Sequence, residues 1–268
     1  MPGNYRRGLG QGAGRRRRSF GSCAVLVGPW PVIARPATEV IPDLAGDPGR
    51  ILALVGGGGK TTLLHALGRH HGNRSVLTTT TRMGADQHGD AQVVVGCDRR
   101  ELVTALEGHR PVLVWGRIDG DKAVGVSPEL PATWLDLVDY VVVEADGARG
   151  LPAKAPGRHE PALPDGPTDV LAVIGADALD RVIADQCHRP LRVAAVIGCS
   201  PYERLDPVRA AILLSHPDGA RRGVDNGFGV VVTKVSSINQ PLVDRLVAAM
   251  AEQLPGVPMH LIADQYAG

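Results

Sequence analysis

Four consecutive glycines, Gly56, Gly57, Gly58 and Gly59, run into Lys60, Thr61 and Thr62. An ammonium, two hydroxyls and a run of side-chain-free backbone at one place suit a polyphosphate. Glycines let amide N–H groups turn inward, the lysine supplies a point charge to the β- and γ-phosphates, and the first threonine hydroxyl holds Mg²⁺. The apolar run Ile51–Val55 before the glycines and the helical pattern after them give the strand–turn–helix context that such a phosphate loop needs. The spacing is G-x-x-G-K-T, two residues shorter than the common G-x-x-x-x-G-K-[ST], whose first glycine position is Leu54 here. The motif predicts Mg²⁺-triphosphate binding and leaves ATP and GTP equally open.

A second polar cluster ends another apolar run. Tyr140–Val143 leads into Glu144, Ala145, Asp146 and Gly147. Residues two apart on a strand point the same way, so Glu144 and Asp146 are both candidates to bind the metal or position an attacking water. The threonine run Thr78–Thr81 closes a further strand. Thr80 and Thr81 are candidates to touch the γ-phosphate or metal, and a threonine-rich strand end is also good β-forming sequence. Between Ala148 and Pro167 lies a loop rich in Pro and Gly, where Lys154 is a candidate for phosphate or an acidic substrate. His159 and Glu160 are a candidate proton-transfer pair there. His188 and Arg189 form a compact basic element at another loop. Thr233-Lys234-Val235-Ser236 matches a base-reading element in part, with Lys234 placed to pack along a base. Ser236 stands where a guanine-reading aspartate would be, and a hydroxyl lacks the bidentate acceptor.

These clusters must be held by a frame, and the pattern of apolar runs supplies one. Strands are predicted at 75–78, 93–95, 111–115, 140–143, 170–174, 229–233 and 257–262, beside the one before the glycines. Helices are predicted from Lys60 to about Gly72 and over 98–107, 129–137, 206–215 and 240–253. Apolar strands without alternation, separated by helices, mean a doubly wound, mostly parallel α/β sheet covered on both faces. In such sheets ligands bind at the carboxyl ends of strands, where the polar clusters sit.

Composition sets limits. With 268 residues and nine aromatics, the core must be aliphatic, and a base-stacking platform is excluded. The net charge is +1, of which residues 1–35 supply +7, leaving −6 on the rest. An acidic body argues against a nucleic-acid partner. Cys23, Cys97, Cys187 and Cys199 have no C-x-x-C spacing, so free thiols in a reducing cytoplasm are expected. No apolar run reaches the roughly 18 residues of a membrane span. Arg15–Arg18 resembles a twin-arginine signal, but prolines interrupt the apolar stretch after it. Residues 1–35 are therefore predicted to be a basic extension without fixed structure, and 36–268 the nucleotide-binding α/β domain.

Val55–Thr62, Leu77–Arg82, Val142–Pro156, His159–Pro161, His188–Pro190 and Val231–Ser236 together resemble the YqeC family, accessory proteins of selenium-dependent molybdenum hydroxylases. Thr233 and Ser236 depart from the family's N-K-V-D element. The resemblance implies a phosphate-loop nucleotide-binding protein that serves maturation or cofactor loading of a client molybdenum hydroxylase. The expectation is a slow NTPase acting as a switch. Two alternatives remain open: an ATP-dependent ligase or kinase acting on a small molecule, and a scaffold that binds nucleotide without hydrolysing it.

Overall fold

Runs of Val, Leu, Ile and Ala that never alternate with polar residues cannot lie on a half-solvated sheet, and here they form the middle of one. The computed structural model describes residues 33–166, 168–225 and 227–264. The arginine run and Cys23 lie outside these residues. Eight strands form one sheet, in spatial order Met259–Ala263, Phe228–Val235, Thr168–Gly175, Arg50–Gly56, Tyr140–Glu144, Ser75–Thr79, Val112–Trp115 and Gln92–Val95. Every pairing in it is parallel.

The central strand Arg50–Gly56 shows how both faces are used. Ala53 and Val55 pack with Val193, Leu213 and Leu246, which lie on the helices Pro190–Ile197, Pro207–Ser215 and Gln240–Gln253. Leu52 and Leu54 pack with Leu44, Leu64 and Leu67 from the helices Ala37–Leu44 and Lys60–His71. Helices thus cover both sides of a doubly wound α/β sheet, as the patterning predicts. From Arg50–Gly56 the chain first builds the sheet on one side, then crosses to add the last three strands on the other. That reversal leaves a crevice at the strand's carboxyl end.

Local signals mark two of the helix starts. Asp98 caps the helix Arg99–Leu106 by accepting from the amides of Arg100 and Glu101, and Asp206 caps Pro207–Ser215 by accepting from Arg209 N. The helix expected over 129–137 is instead one short 3₁₀ turn, Pro131–Trp134, that buries Trp134 and returns the chain to Tyr140. Helices Ala37–Leu44 and Pro190–Ile197 are additional, as is a small antiparallel sheet of Arg82–Gly84, Lys122–Val124 and Arg117–Asp119. The ordered body starts before residue 36: Arg35 N donates to Leu261 O, and Ala263 N donates to Arg35 O. Among the described residues no helix is long and apolar enough to cross a membrane.

Two histidines, half-buried His71 and buried His260, set an acid limit on this fold. Burial, with His70 and Arg74 nearby and Asp139 opposing, lowers His71 to about 4, and the ring stacks on Tyr140. Burial likewise lowers His260 to about 4, with Asp43 opposing and Arg35 assisting. Its Nε2 has no hydrogen-bond partner. Folded values below the unfolded one mean that the unfolded chain takes up protons first as pH falls. Stability is therefore full above about pH 6.5 and declines from there toward pH 4. His260 should contribute a slope of about 1 kcal/mol per pH unit in that window. Urea unfolding at pH 7 and pH 5 should show a smaller loss for His260→Leu than for the unsubstituted protein; an equal loss would refute the assignment.

Candidate functional site

The carboxyl ends of Arg50–Gly56, Tyr140–Glu144 and Ser75–Thr79 open onto a cleft of about 1610 Å³. The glycine turn forms its floor. Gly59 is the N-cap of Lys60–His71 in a left-handed conformation (φ 109°) that a side chain rarely adopts. The first helical N–H groups, those of Lys60, Thr61 and Thr62, have no partner inside the helix, and these three residues line the cleft with Gly58 and Gly59.

The earlier glycines have a different task from the one predicted. Gly56 N donates to both oxygens of Asp146 (3.1 and 3.0 Å), Gly57 N to Val173 O (2.9 Å) and Gly58 N to Leu151 O (3.1 Å). Their amides are spent on holding the turn, and Gly56 and Gly57 do not line the cleft. The donors open to an anion therefore lie toward the helix, from Gly59 to Thr62. The cause is close packing: a Cβ on Gly57 would lie 2.6 Å from Leu151 O and 2.8 Å from Ala153 N.

Lys60 is buried, and its Nζ donates to Gly56 O (2.6 Å) while lying 3.2 Å from Asp146 and 3.6 Å from Glu144. Thr61 Oγ1 donates to Glu144 Oε2 (2.8 Å). Both acids reach Lys60, although the strand ends at Glu144 and Asp146 lies in the bend after it, and they divide the work. Glu144 lines the cleft with Thr61, whereas Asp146 is 2% exposed and sits beneath it, bonded to Gly56 and paired with Lys60 and Lys154.

Lys154 and Glu160 extend that pairing. The Lys154 ammonium, buried, contacts Gly147 O (2.7 Å), Asp146 Oδ2 (3.1 Å) and Glu160 Oε2 (2.6 Å). Arg189 donates both terminal nitrogens to Glu160 (2.7 and 2.8 Å), a bidentate fork. Burial would raise the Glu160 carboxyl, but the hydrogen bonds from Arg189 and Lys154 outweigh it and hold it at about 2. An anion so held cannot shuttle protons near neutrality, and His159 is exposed and does not line the cleft. The predicted His159–Glu160 proton-transfer pair is therefore not formed; Glu160 is a structural anchor. His188 lines the cleft, its value lowered by burial and by Arg189, Lys154 and Arg149, with Glu160 opposing.

Thr80 and Thr81 both border the cleft. Thr80 Oγ1 donates to Ala162 O (2.6 Å), tying the strand end to the long loop, and the Thr81 and Thr79 hydroxyls lie 3.2 Å apart. Lys234 also borders the cleft, paired with Asp177 (2.6 Å). Thr233 donates to Gly58 O, so the segment Thr233–Ser236 is bonded to the glycine turn. Ser236 lies outside the cleft, its amide donating to Asn239 Oδ1. Arg149 and the cations of the small sheet, Arg82 and Lys122, complete the cleft's basic wall. Arg82 and Lys122 lie on three-residue strands too short to show a period, and Arg149 lies in the long loop, which has none. Cys187 also lines the cleft, but burial pushes its thiol to about 12, so it is not a ready nucleophile.

The YqeC protein family model matches residues 52–191, the stretch that holds the glycine turn, both acids and the Lys154–Arg189 arm. The protein YqeC of Escherichia coli (strain K12), described as uncharacterized, is 32% identical over 205 residues, covering 73% of this chain and 79% of that relative. No solved structure matches the chain. With a glycine turn, an acid pair and a basic arm all inside the matched span, the chain belongs to the YqeC family.

Proposed function

We propose that this protein binds a Mg²⁺-nucleoside triphosphate, ATP or GTP, hydrolyses it slowly, and uses the change to serve maturation or cofactor loading of a client molybdenum hydroxylase. The observation that carries the nucleotide part is Lys60. A buried ammonium sits at the mouth of a helix N-terminus whose open amides line the same cleft. A polyanion there gains several charge-assisted hydrogen bonds at once. The client, and any place for selenium, follow from the family resemblance and not from the geometry.

The residues fit the metal. The Thr61 hydroxyl and Glu144 carboxylate are hard oxygen donors 2.8 Å apart at the cleft. Among the described residues no group of three or more His, Cys, Asp or Glu could cage an ion, which suits Mg²⁺ that completes its shell with phosphate oxygens and water. When bound, the ion would neutralise charge on the β- and γ-phosphates. Lys60 would do the same from the turn, the amides of Gly59–Thr62 would orient the phosphates, and Glu144 would hold the metal or position the attacking water. Asp146 would keep Lys60 aimed into the cleft. Lys234 would pack along the base; with Ser236 outside the cleft, no carboxylate at that position selects guanine.

Calorimetry with Mg²⁺-ATP and Mg²⁺-GTP tests the reading. Lys60→Ala should weaken the preferred nucleotide by about 100-fold, the loss of roughly 3 kcal/mol of charged hydrogen bonding. Equal affinity in both proteins would remove the site. Phosphate release without any added co-substrate separates a switch from a ligase or kinase, and bound triphosphate left unconverted for hours would mark a non-hydrolysing scaffold.

A further inference from the structure

The cleft is larger than one nucleotide needs. Small-molecule sites usually occupy about 300–1000 Å³, against about 1610 Å³ here. Its six lysines and arginines are not equivalent. Lys60, Arg82, Lys122, Arg189 and Lys234 each pair with an acid. Arg149 alone among them has no acid partner, and it is exposed to the cleft.

Backbone strain marks the same wall. Five described non-glycine residues have positive φ, and three of them, Arg149 (52°), Arg189 (61°) and Lys234 (56°), are basic residues of this cleft. A left-handed arginine costs of order 1 kcal/mol and persists only where surrounding structure demands it. Beside Arg149 stands His188, held at its backbone by the short parallel pairing of Cys187–His188 with Ala153–Lys154. Three cations, Arg189, Lys154 and Arg149, act on its ring, and Glu160 is the one acid opposing them. That acid is already committed to Lys154, Arg189 and Gly157 N. Lys154 and Arg189 are paired with Asp146 and Glu160, which leaves Arg149 as the one cation of the three without an acid contact.

We propose that Arg149 and His188 form a second anion site, which takes an oxyanion group of a small molecule beside the nucleotide. The site rests on the nucleotide reading for its first ligand and adds a second, anionic one. Arg149 supplies an unpaired guanidinium, and His188 a ring that gains a proton when an anion arrives. Arg189 is not a direct ligand; through Glu160 it fixes the backbone that carries His188.

The test is calorimetric titration of inorganic phosphate into protein saturated with Mg²⁺-AMP-PNP, with acetate as a monoanionic comparison. Phosphate should bind and exceed acetate, and Arg149→Gln should weaken it by about 10-fold. Sulfate, which does not titrate between pH 7.5 and 6, should bind more tightly as pH falls through that range, and His188→Gln should abolish this pH dependence, which a purely structural histidine would not control. Phosphate affinity unchanged in Arg149→Gln overturns the site, as does a loss confined to AMP-PNP affinity in that variant, which would assign Arg149 to the nucleotide. Should AMP-PNP fail to bind, the nucleotide reading falls. The same phosphate titration on Lys60→Ala protein then tests the second site by itself, and an absent Arg149-dependent signal there overturns it.

Discussion

Asp146→Ala is expected to destabilise the apo protein by about 3 kcal/mol and to remove nucleotide binding with it. The carboxylate is 2% exposed and holds Gly56 N by both oxygens while pairing with Lys60 and Lys154. Deleting one member of a buried ion pair leaves uncompensated charge, a loss usually of about 3–5 kcal/mol. The low end applies because Lys60 keeps Glu144 and Lys154 keeps Glu160. Urea denaturation followed by circular dichroism measures this directly. A metal ligand lying in the cleft would behave differently, with Mg²⁺ affinity falling while apo stability barely moved. That second outcome would return Asp146 to the role its spacing from Glu144 first suggests. Asp146→Asn, which keeps an acceptor for Gly56 N but not the charge, should fall between the two.

Gly58→Ala should be nearly as damaging, for a reason of space. Gly58 has φ 77°, and a Cβ there would lie 2.7 Å from Gly175 Cα, a contact no backbone can accept without moving. Strain in the left-handed region adds of order 1 kcal/mol, and displacing Gly175 shifts the strand Thr168–Gly175 beneath the turn. We expect a loss of 2 kcal/mol or more, on the order of an overpacked core, and nucleotide affinity reduced below detection. Gly59→Ala is the informative contrast, because a Cβ at Gly59 meets nothing within 4 Å and only its φ of 109° opposes the change. If both variants unfold at the same urea concentration, packing against Gly175 is not what requires glycine at position 58.

The frame was legible because burial on both faces writes itself into composition. Val170–Ile174 and Tyr140–Val143 contain no polar residue, and a segment so uniform fits only an interior parallel strand. The place of Lys60 and Thr61 was legible because they follow the glycine turn directly in the chain, and that of Glu144 because it ends a second apolar strand, which pairs with the one before the turn. Three things were hidden. The amides of Gly56–Gly58 are consumed by Asp146, Val173 and Leu151, partners up to 116 residues away, and no local pattern reports such a bond. The role of Glu160 depends on Arg189, 29 residues on. The helix Pro190–Ile197 escaped because it is short and starts at a proline after a left-handed arginine, where pattern suggests a loop.

Lys60, Asp146, Lys154, Glu160 and Arg189 alternate in sign, and each shares a contact with the next. Such a file behaves like a row of linked compasses. On the proposed function, a triphosphate drawing Lys60 toward itself would slacken its grip on Asp146, which would then pull harder on Lys154, and so on to the arginine at the far rim. Occupancy at the floor would in this way be legible on the outer lip, where a partner protein could feel it.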